Sequence, residues 1–593
     1  MGIARSCLCA CSTLALVAAG VSPALAQDVD DEGQTPEAAS GVTGDGAVII
    51  VTAQKREESI QEVPIAVTAI SGEGLDDYKI ETGAELLRAV PNVNFSKSNF
   101  SMYNFSIRGV GTKAISAASD PAVAVSFNNT ALARNRLFES EFFDMARIEV
   151  LRGPQGTLYG RNATAGVVNL IPALPTDELE GSVKAEVGSY STRRLNGMLN
   201  VPLGDTFGVR VAGQWTKRDG FDYNTFTQNR VNGRDLWSTR AIAEWELSDR
   251  FRANVIWQHF EEDDNRSRTG KQLCHTDPGP EMVGDVEITD PLVRGRMSQG
   301  CRPGSLYEDA AFGVPNGYSL AYTYVPRLIS IGRELLPDGS AGETVYVTNT
   351  GNPYEGLTQS RDLREIATSY DPKFRAKNDV VQLNLEFEPA EGLTLVSQTA
   401  YSRDRYFSTQ DYGRFISNPI FNDSTGALGD RRGNPLDTET YPGPTPGGIF
   451  CDPQLGCSDR MVSADLNRSR NRQWSQEIRL QSDFDGPVNF NVGANYLDFK
   501  SKDDYYVFNN TFTLIAEWFY SAVPTFGHPA SGQNATLPCE LGFEERECVY
   551  IDPNPIGSLN DQGHNYFLSQ NGVRTKSWAA FGELTGTSPT ISS

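Results

Sequence analysis

The stretch RIEVLRGPQGTLYGRNATAG, residues 147–166, concentrates the residue types that could do chemistry. Ile148, Val150 and Leu151 are β-formers. Gly153, Gly156, Gly160 and Gly166 follow, among Pro154, Gln155 and Tyr159. A glycine-rich loop after a strand is the usual frame of a phosphate cradle. The spacing argues against one. A nucleotide loop needs Gly-x-x-x-x-Gly-Lys-Ser/Thr, or Gly-x-Gly-x-x-Gly opening a helix. Here Arg161 and Asn162 follow Gly160, with no lysine beside a hydroxyl. What remains is charge: Arg108 upstream, then Arg147, Glu149, Arg152 and Arg161, among glycines that allow tight turns in a confined space.

Other reactive types are sparse. The chain has 4 histidines, His259, His275, His528 and His564. They offer little general-base chemistry, and no Ser-His-Asp arrangement is evident, so no enzyme is expected. Cys7, Cys9 and Cys11 lie near the amino terminus. The other six cysteines fall as neighbouring pairs: Cys274 with Cys301, Cys451 with Cys457, and Cys539 with Cys548. An even count in an exported chain suggests disulfides. Metal ligation is the rival reading, though no CxxC is present, and no metal or other cofactor is expected. Tyr505, Tyr506, Phe508, Phe512, Trp518, Phe519 and Tyr520 form an aromatic cluster. In an outer loop these could stack on a flat chelate or a sugar ring, or pack on one another. The run Glu261, Glu262, Asp263, Asp264 could bind a cation or edge a solvated loop.

These residues need a frame. The chain has 593 residues, 39% hydrophobic and 10% aromatic, with 55 glycines. Its mean hydropathy of -0.38 is too low for a helical membrane protein. The formal charge of -23 would be repelled by a nucleic-acid backbone. Residues 1–26 read as a signal peptide: Arg5, a short apolar run from Leu14 to Val21, and Ala24-Leu25-Ala26 before Gln27. Residues 27–47 read as a flexible acidic leader. Residues 48–54 form a brief β-prone island.

Beyond the signal peptide no apolar run approaches a membrane helix, so a spanning structure would have to be a closed β-barrel. The required alternation is present. Val209, Val211 and Trp215 oppose Arg210 and Gln214. Ala241, Ala243 and Trp245 oppose Arg240 and Glu244. Val381, Leu383, Leu385 and Phe387 oppose Gln382, Asn384 and Glu386. Alternation also fits a soluble sandwich, but two features favour the barrel. Aromatics recur near strand ends. Tight turns such as VPLGDTFG, ELSDRFR, EPAEGLT and SDFDGPVN alternate with long polar stretches at about 262–375 and 405–470. From Val63 to about Leu174 lies a compact αβ region. VPIAVTAI, FSIRGVG and VAVSF read as strands there. Residues 71–90 read as one helix with Ile80, Leu86 and Leu87 on a face.

FDMARIEVLRGPQGTLYGRNATAGVVNL closely resembles the plug-domain motif of TonB-dependent outer-membrane receptors. SIRGVG, with Arg108 and Gly109, resembles a second plug motif. VIIVTAQKREESIQEVPIAVTAISGE resembles the TonB box and plug start. The resemblance implies a mainly β fold, with an αβ plug at 60–175 inside an antiparallel transmembrane β-barrel at 181–593. It implies that Arg147, Glu149 and Arg152 contact barrel acids. It also implies that Ile49, Ile50, Val51, Thr52 and Ala53 form a TonB box on a flexible tether, adding as a strand to TonB and its proton-driven inner-membrane complex. The other reading of this island is the plug's own first strand. Two places depart from the family pattern: Asn128-Asn129 stands where Asp-Gly is usual, and NLIPALP replaces a Thr/Lys-bearing strand.

The family barrel has about 22 strands. Only roughly eleven plausible strands, about half, are legible after residue 181, which suggests an incomplete barrel in a truncated product or fragment. The implied function is energised import of a siderophore, vitamin or saccharide across the outer membrane of a Gram-negative bacterium, in contact with its lipid. An iron–siderophore chelate leads. A passive porin or surface-binding protein, or a non-functional truncated receptor, is the alternative.

Overall fold

The computed structural model describes residues 49–586 except 62, 98–102, 113–118, 135–139, 321–329, 336–340, 350, 427–436, 438, 440–442, 517–550 and 564. The signal peptide, the acidic leader, Trp518, Tyr520 and the pair Cys539 and Cys548 lie outside the described residues.

The first part is a small domain of short strands. β1 (Ile50–Val51) pairs antiparallel with β2 (Glu58–Ser59). β3 (Val67–Ser71) leads to α1 (Gly72–Asp77). β4 (Val93–Lys97), β5 (Tyr103–Ile107) and β6 (Val110–Gly111) make a three-stranded sheet. β7 (Val123–Phe127), β8 (Thr130–Leu132), β9 (Met145–Arg152) and β10 (Gly166–Pro172) join β3 in a five-stranded sheet of order β3, β9, β10, β7, β8. β7 and β10 pair in parallel and are buried along their whole length. That explains their unbroken apolar sequence, since a strand covered on both faces does not alternate.

The single helix expected over 71–90 is two short pieces. Ser71 Oγ accepts from the Gly74 amide at 3.1 Å and starts α1. Lys79 then takes φ 50, which no helix continues through. Glu85 reaches back to accept from the Thr82 amide at 3.0 Å and opens a separate 3-10 turn, Gly83–Arg88. Ile80 and Leu86 are buried, whereas Leu87 is exposed, because the break rotates the second piece.

The second part is one antiparallel sheet of ten strands, consecutive neighbours in chain order. These are β11 (Glu180–Gly188), β12 (Thr192–Pro202), β13 (Phe207–Arg218), β14 (Arg234–Ser248), β15 (Phe251–Asp264), β16 (Lys373–Ala390), β17 (Leu393–Asp411), β18 (Ser463–Ser482), β19 (Val488–Asn509) and β20 (Phe567–Gly586). The four tight turns fall between these strands as expected. In β16 the even-numbered Phe374, Ala376, Asn378, Val380 and Gln382 are buried, while Lys373, Arg375, Lys377, Val381 and Leu383 are exposed. One side of this wall therefore faces the small domain and the other faces out. β11 and β20 each pair with one neighbour among the described residues; β11 is largely exposed, while β20 alternates exposed with half-buried residues. No described helix is long and apolar enough to cross a membrane.

Long connections leave the same end of the wall, after β15, β17 and β19. The one after β17 is shorter than expected. β17 runs on to Asp411 and β18 begins at Ser463, because inward Tyr406 and its partner Ser469 continue the buried alternation there. β15 likewise absorbs the acidic run. Glu261 and Asp263 point out, to Lys377 at 3.2 Å and Arg375 at 3.1 Å, while Glu262 is buried on the other face. Strand alternation thus splits the carboxylates that a cation loop would have to gather.

The main apolar core belongs to the small domain: Ile70, Leu86, Ile107, Val125, Ile148, Val150 and Val168. Ile242, Ile256 and Val380 of the wall join it. The wall is thus not uniformly polar toward its guest.

Candidate functional site

The residues singled out at 49–53 and 147–166 meet at one edge of the small domain. Val51 and Ala53 are fully buried, packed with Leu151, Leu158, Tyr159 and Ala163. Between them Thr52 turns to Glu149. Its amide donates to Glu149 Oε1 at 2.7 Å, and its hydroxyl donates to the same atom at 3.1 Å. Arg147, two residues along β9 on the same face, donates from Nε to Glu149 Oε1 at 2.7 Å. Tyr159 OH donates to the Thr52 carbonyl at 3.3 Å. Burial, with the Glu149 charge beside it, raises the Tyr159 phenol far above its ordinary range, so it stays a donor. A wholly buried carboxylate is tolerable only when paired and hydrogen-bonded; Glu149 has both.

A second tie follows immediately. The Lys55 amide donates to the Thr52 carbonyl at 2.8 Å, closing a turn in which Lys55 has φ 60. Its ammonium, buried inside the wall, meets Glu477 of β18 at 2.7 Å. Gln481 donates to the Lys55 carbonyl at 3.1 Å. Burial lowers the Lys55 pKa from 10.5, and the Glu477 charge opposes that shift. So 49–55 is packed on the small domain and gripped by the wall, where a free tether was expected. Its apolar side chains have a pocket to fill.

The expected pairing of Arg147, Glu149 and Arg152 with wall acids is not what the structure has. Arg147 and Glu149 satisfy each other, and Arg161 pairs with Asp120 of the same domain at 2.5 Å. The Arg152 amide donates to Ala66 at 2.9 Å, ending the β3 ladder. Across the interface the charges run the other way. Arg194 and Arg210, inward on β12 and β13, hold Glu81, Glu141 and Asp144 of the small domain. Arg240, buried on β14, donates to the carbonyls of Phe143 at 3.2 Å and Asp144 at 2.8 Å. The sequence signal was present as arginines on the inward register, Arg210 and Arg240.

Glutamines of the wall read the small domain's backbone. Gln382 and Gln398 both donate to the Asn128 carbonyl, at 3.0 and 2.9 Å. Gln473 donates to the Ala131 carbonyl and accepts from the Ala133 amide, at 2.7 and 2.8 Å. Asn128 and Asn129 sit at φ 44 and 65, joining β7 to β8 in a two-residue turn with both central φ positive. The substitution for Asp-Gly therefore preserves the turn, and Asn129 is held by Asn169 at 2.8 Å.

The glycines serve close approach. A Cβ on Gly166 would lie 2.2 Å from the Leu151 carbonyl oxygen, and Gly160 at φ 71 ends the short α2 (Gly156–Tyr159) that presents Tyr159. Gly153, at φ 124, turns the chain out of β9. Arg108 and Gly109, both at positive φ, make the turn from β5 to β6.

The aromatic candidates are corrected. Tyr505 and Tyr506 are on β19, not in a loop. Tyr506 is fully buried among Leu466, Phe508, Leu559 and Tyr566, and its hydroxyl donates to Asp561 at 2.6 Å. Tyr505 donates to Asp465 at 3.0 Å. Strand alternation sends these neighbours to opposite faces, which removes the shared stacking surface. Cys274 is disulfide-bonded to Cys301, and Cys451 to Cys457, both in the long connections. A cavity of about 670 Å³ at that end is lined by Glu81, Glu141, Arg218, Arg234 and Arg364.

Residues 59–167 match the family model described as TonB-dependent Receptor Plug Domain. The pesticin receptor of Yersinia pestis is 29% identical over 202 residues, 33% of this chain and 29% of its own length. The ferric-pyoverdine 358 receptor of Pseudomonas putida is 28% identical over 199 residues, 33% of this chain and 23% of its own. The matches thus span less than a third of these relatives. The solved ferripyoverdine receptor of the outer membrane of Pseudomonas aeruginosa aligns at 13% identity over 91% of this chain and 55% of its own, with a TM-score of 0.47. Within the small domain that docks Thr52 on Glu149, residues 59–167 thus match the TonB-dependent receptor plug domain, and this chain sets them against an antiparallel β-wall.

Proposed function

We propose that this chain imports a scarce ligand, foremost an iron–siderophore chelate, across the outer membrane of a Gram-negative bacterium, powered through residues 49–53. The wall spans the bilayer with the plug on its inner face and the long connections outside. The observation that carries the reading is the docking of Thr52 on Glu149. A short strand held by a few bonds at the edge of the plug can leave it and add to a partner's sheet. In the receptor family that partner is TonB. A pull on Thr52 acts on Glu149 and Arg147, and so on β9, an interior strand of the plug sheet.

The iron reading draws on relatives named as a ferric-pyoverdine receptor and an iron-regulated outer membrane virulence protein. A relative named as a vitamin B12 transporter keeps vitamins as the rival cargo. Cells relying on this chain for uptake are fed single ferric chelates, vitamin B12 or saccharides. One ferric chelate should support growth. Deleting 49–53 should abolish that growth while the chelate still binds the cell surface. Undiminished growth of the deletion would mark a passive pore.

A further inference from the structure

The outward face of the wall carries a basic patch that nothing in the import mechanism uses. Arg403 and Arg405 on β17, Arg470 and Arg472 on β18, and Lys500 and Lys502 on β19 are all exposed. They point away from the plug, since the residues of opposite parity, Gln398, Gln473 and Ser501, are those that reach it. The register sets them in two transverse rows. Arg403 lies opposite Arg472, which lies opposite Lys500; Arg405 lies opposite Arg470, which lies opposite Lys502. With ~5 Å between strands and ~7 Å between alternate residues, six cations occupy a patch of roughly 10 by 7 Å.

Like charges directly opposite one another destabilise a sheet. Here the described carboxylates offset them only in part: Asp498 lies within charge reach of Lys500, and Asp561 of Lys502. Asp379, beside Arg403, is engaged by His259 Nδ1 at 2.6 Å. Glu261 pairs with Lys377 at 3.2 Å, and Asp498 with Arg574 at 2.7 Å. Arg403, Arg405, Arg470, Arg472 and Lys500 form no ion pair among the described residues, and Lys502 has only Asp504 at 3.9 Å. Toward the short turns the same face becomes aromatic, with Tyr401, Trp474, Tyr496 and Trp578 exposed. An aromatic girdle marks the depth of the membrane interface. The patch lies just beyond it, at the end bearing the long connections.

We infer that this patch binds a lipid headgroup carrying more than one phosphate, in the leaflet on the long-connection side. This rests on the membrane placement proposed above. Arginine forks grip phosphate oxygens in pairs, two rows suit two phosphates, and the aromatic row below receives the acyl chains. The bound anions complete the counter-charge that the wall supplies only in part.

The test uses the full chain in neutral detergent. Its binding to a bis-phosphorylated, acylated glucosamine disaccharide is compared with binding to the dephosphorylated lipid, phosphatidylcholine and inorganic phosphate. The phosphorylated lipid should bind at least tenfold tighter than each of these. R403Q/R405Q/R470Q/R472Q should erase the preference, whereas R250Q/R252Q at the opposite rim should leave it intact. Equal binding of the two acylated disaccharides would overturn the proposal, as would inorganic phosphate matching the lipid. Should the fourfold variant fold poorly, phenylglyoxal labelling of the unsubstituted chain decides: the phosphorylated lipid should shield these four arginines, and unchanged labelling would overturn the proposal. Failure of the chain to enter phosphatidylcholine vesicles at all would instead defeat the membrane placement.

Discussion

Thr52 and Glu149, 97 residues apart in sequence, are joined by two hydrogen bonds from the threonine to one buried carboxylate oxygen, at 2.7 and 3.1 Å. The contact links the amino-terminal strand to β9, an interior strand of the plug sheet. It turns an apolar island into a handle with a defined point of attachment.

Glu149→Gln tests the attachment. The amide keeps one acceptor but loses the charge that Arg147 and Thr52 share. Hydrogen bonds to a charged group are worth about 1.5–3 kcal/mol each. Docking of 49–55 should weaken by roughly 2–3 kcal/mol, read as faster protease cleavage in that segment with the wall still folded. Unchanged cleavage would mean that apolar packing alone holds the strand.

Lys55 gives the docking a pH dependence of definite sign. Docked, its pKa lies below 10.5 because burial disfavours the charge; released, it returns to its ordinary value. Docking therefore carries a protonation cost that is full below the docked value and fades as pH rises toward 10.5. A spin label at Ile50→Cys should become less mobile as pH rises toward 10.5. Lys55→Met should flatten the response. Glu477 keeps Arg479 at 3.1 Å, so that variant strands no charge.

Arg240→Ala removes the guanidinium that holds the Phe143 and Asp144 carbonyls. Two charge-assisted bonds and a buried side chain are lost, at a cost of about 3 kcal/mol. Thermal unfolding in detergent should shift down accordingly. A shift within error would show the clamp to be redundant with Arg210.

Asn128 separates backbone from side-chain effects in the turn gripped by Gln382 and Gln398. Asn128→Gly should be nearly neutral, while Asn128→Val, forced to φ 44, should cost about 1–2 kcal/mol. Equal melting of the two variants would contradict the turn's dependence on left-handed backbone.

Much of the architecture was legible because the wall is governed by one period. Val381 to Phe387 alternate against Gln382 to Glu386 in sequence, and the structure sorts them out and in. Where two signals competed, reading failed. Residues 71–90 have helical periodicity, but a left-handed Lys79 and the Thr82–Glu85 capping box cut it in two. Tyr505 and Tyr506 looked like a cluster only because sequence adjacency hides the strand's two faces. The charges at 147–161 were recognised, yet their partners were not. Glu149 finds Thr52 and Arg147 inside its own domain, and no local pattern announces a contact 97 residues away. Lys55 was passed over, although a cation just after an apolar island was the available sign.

The central claim is that 50–53 must leave the plug for import to proceed. Ile50 lies opposite Ser59 in the β1/β2 ladder, so Ile50→Cys with Ser59→Cys can staple the strand in place. In cells fed the chelate that supports growth, uptake should stop when the staple is oxidised and return on reduction, with surface binding constant throughout. Equal uptake in both states would contradict the account.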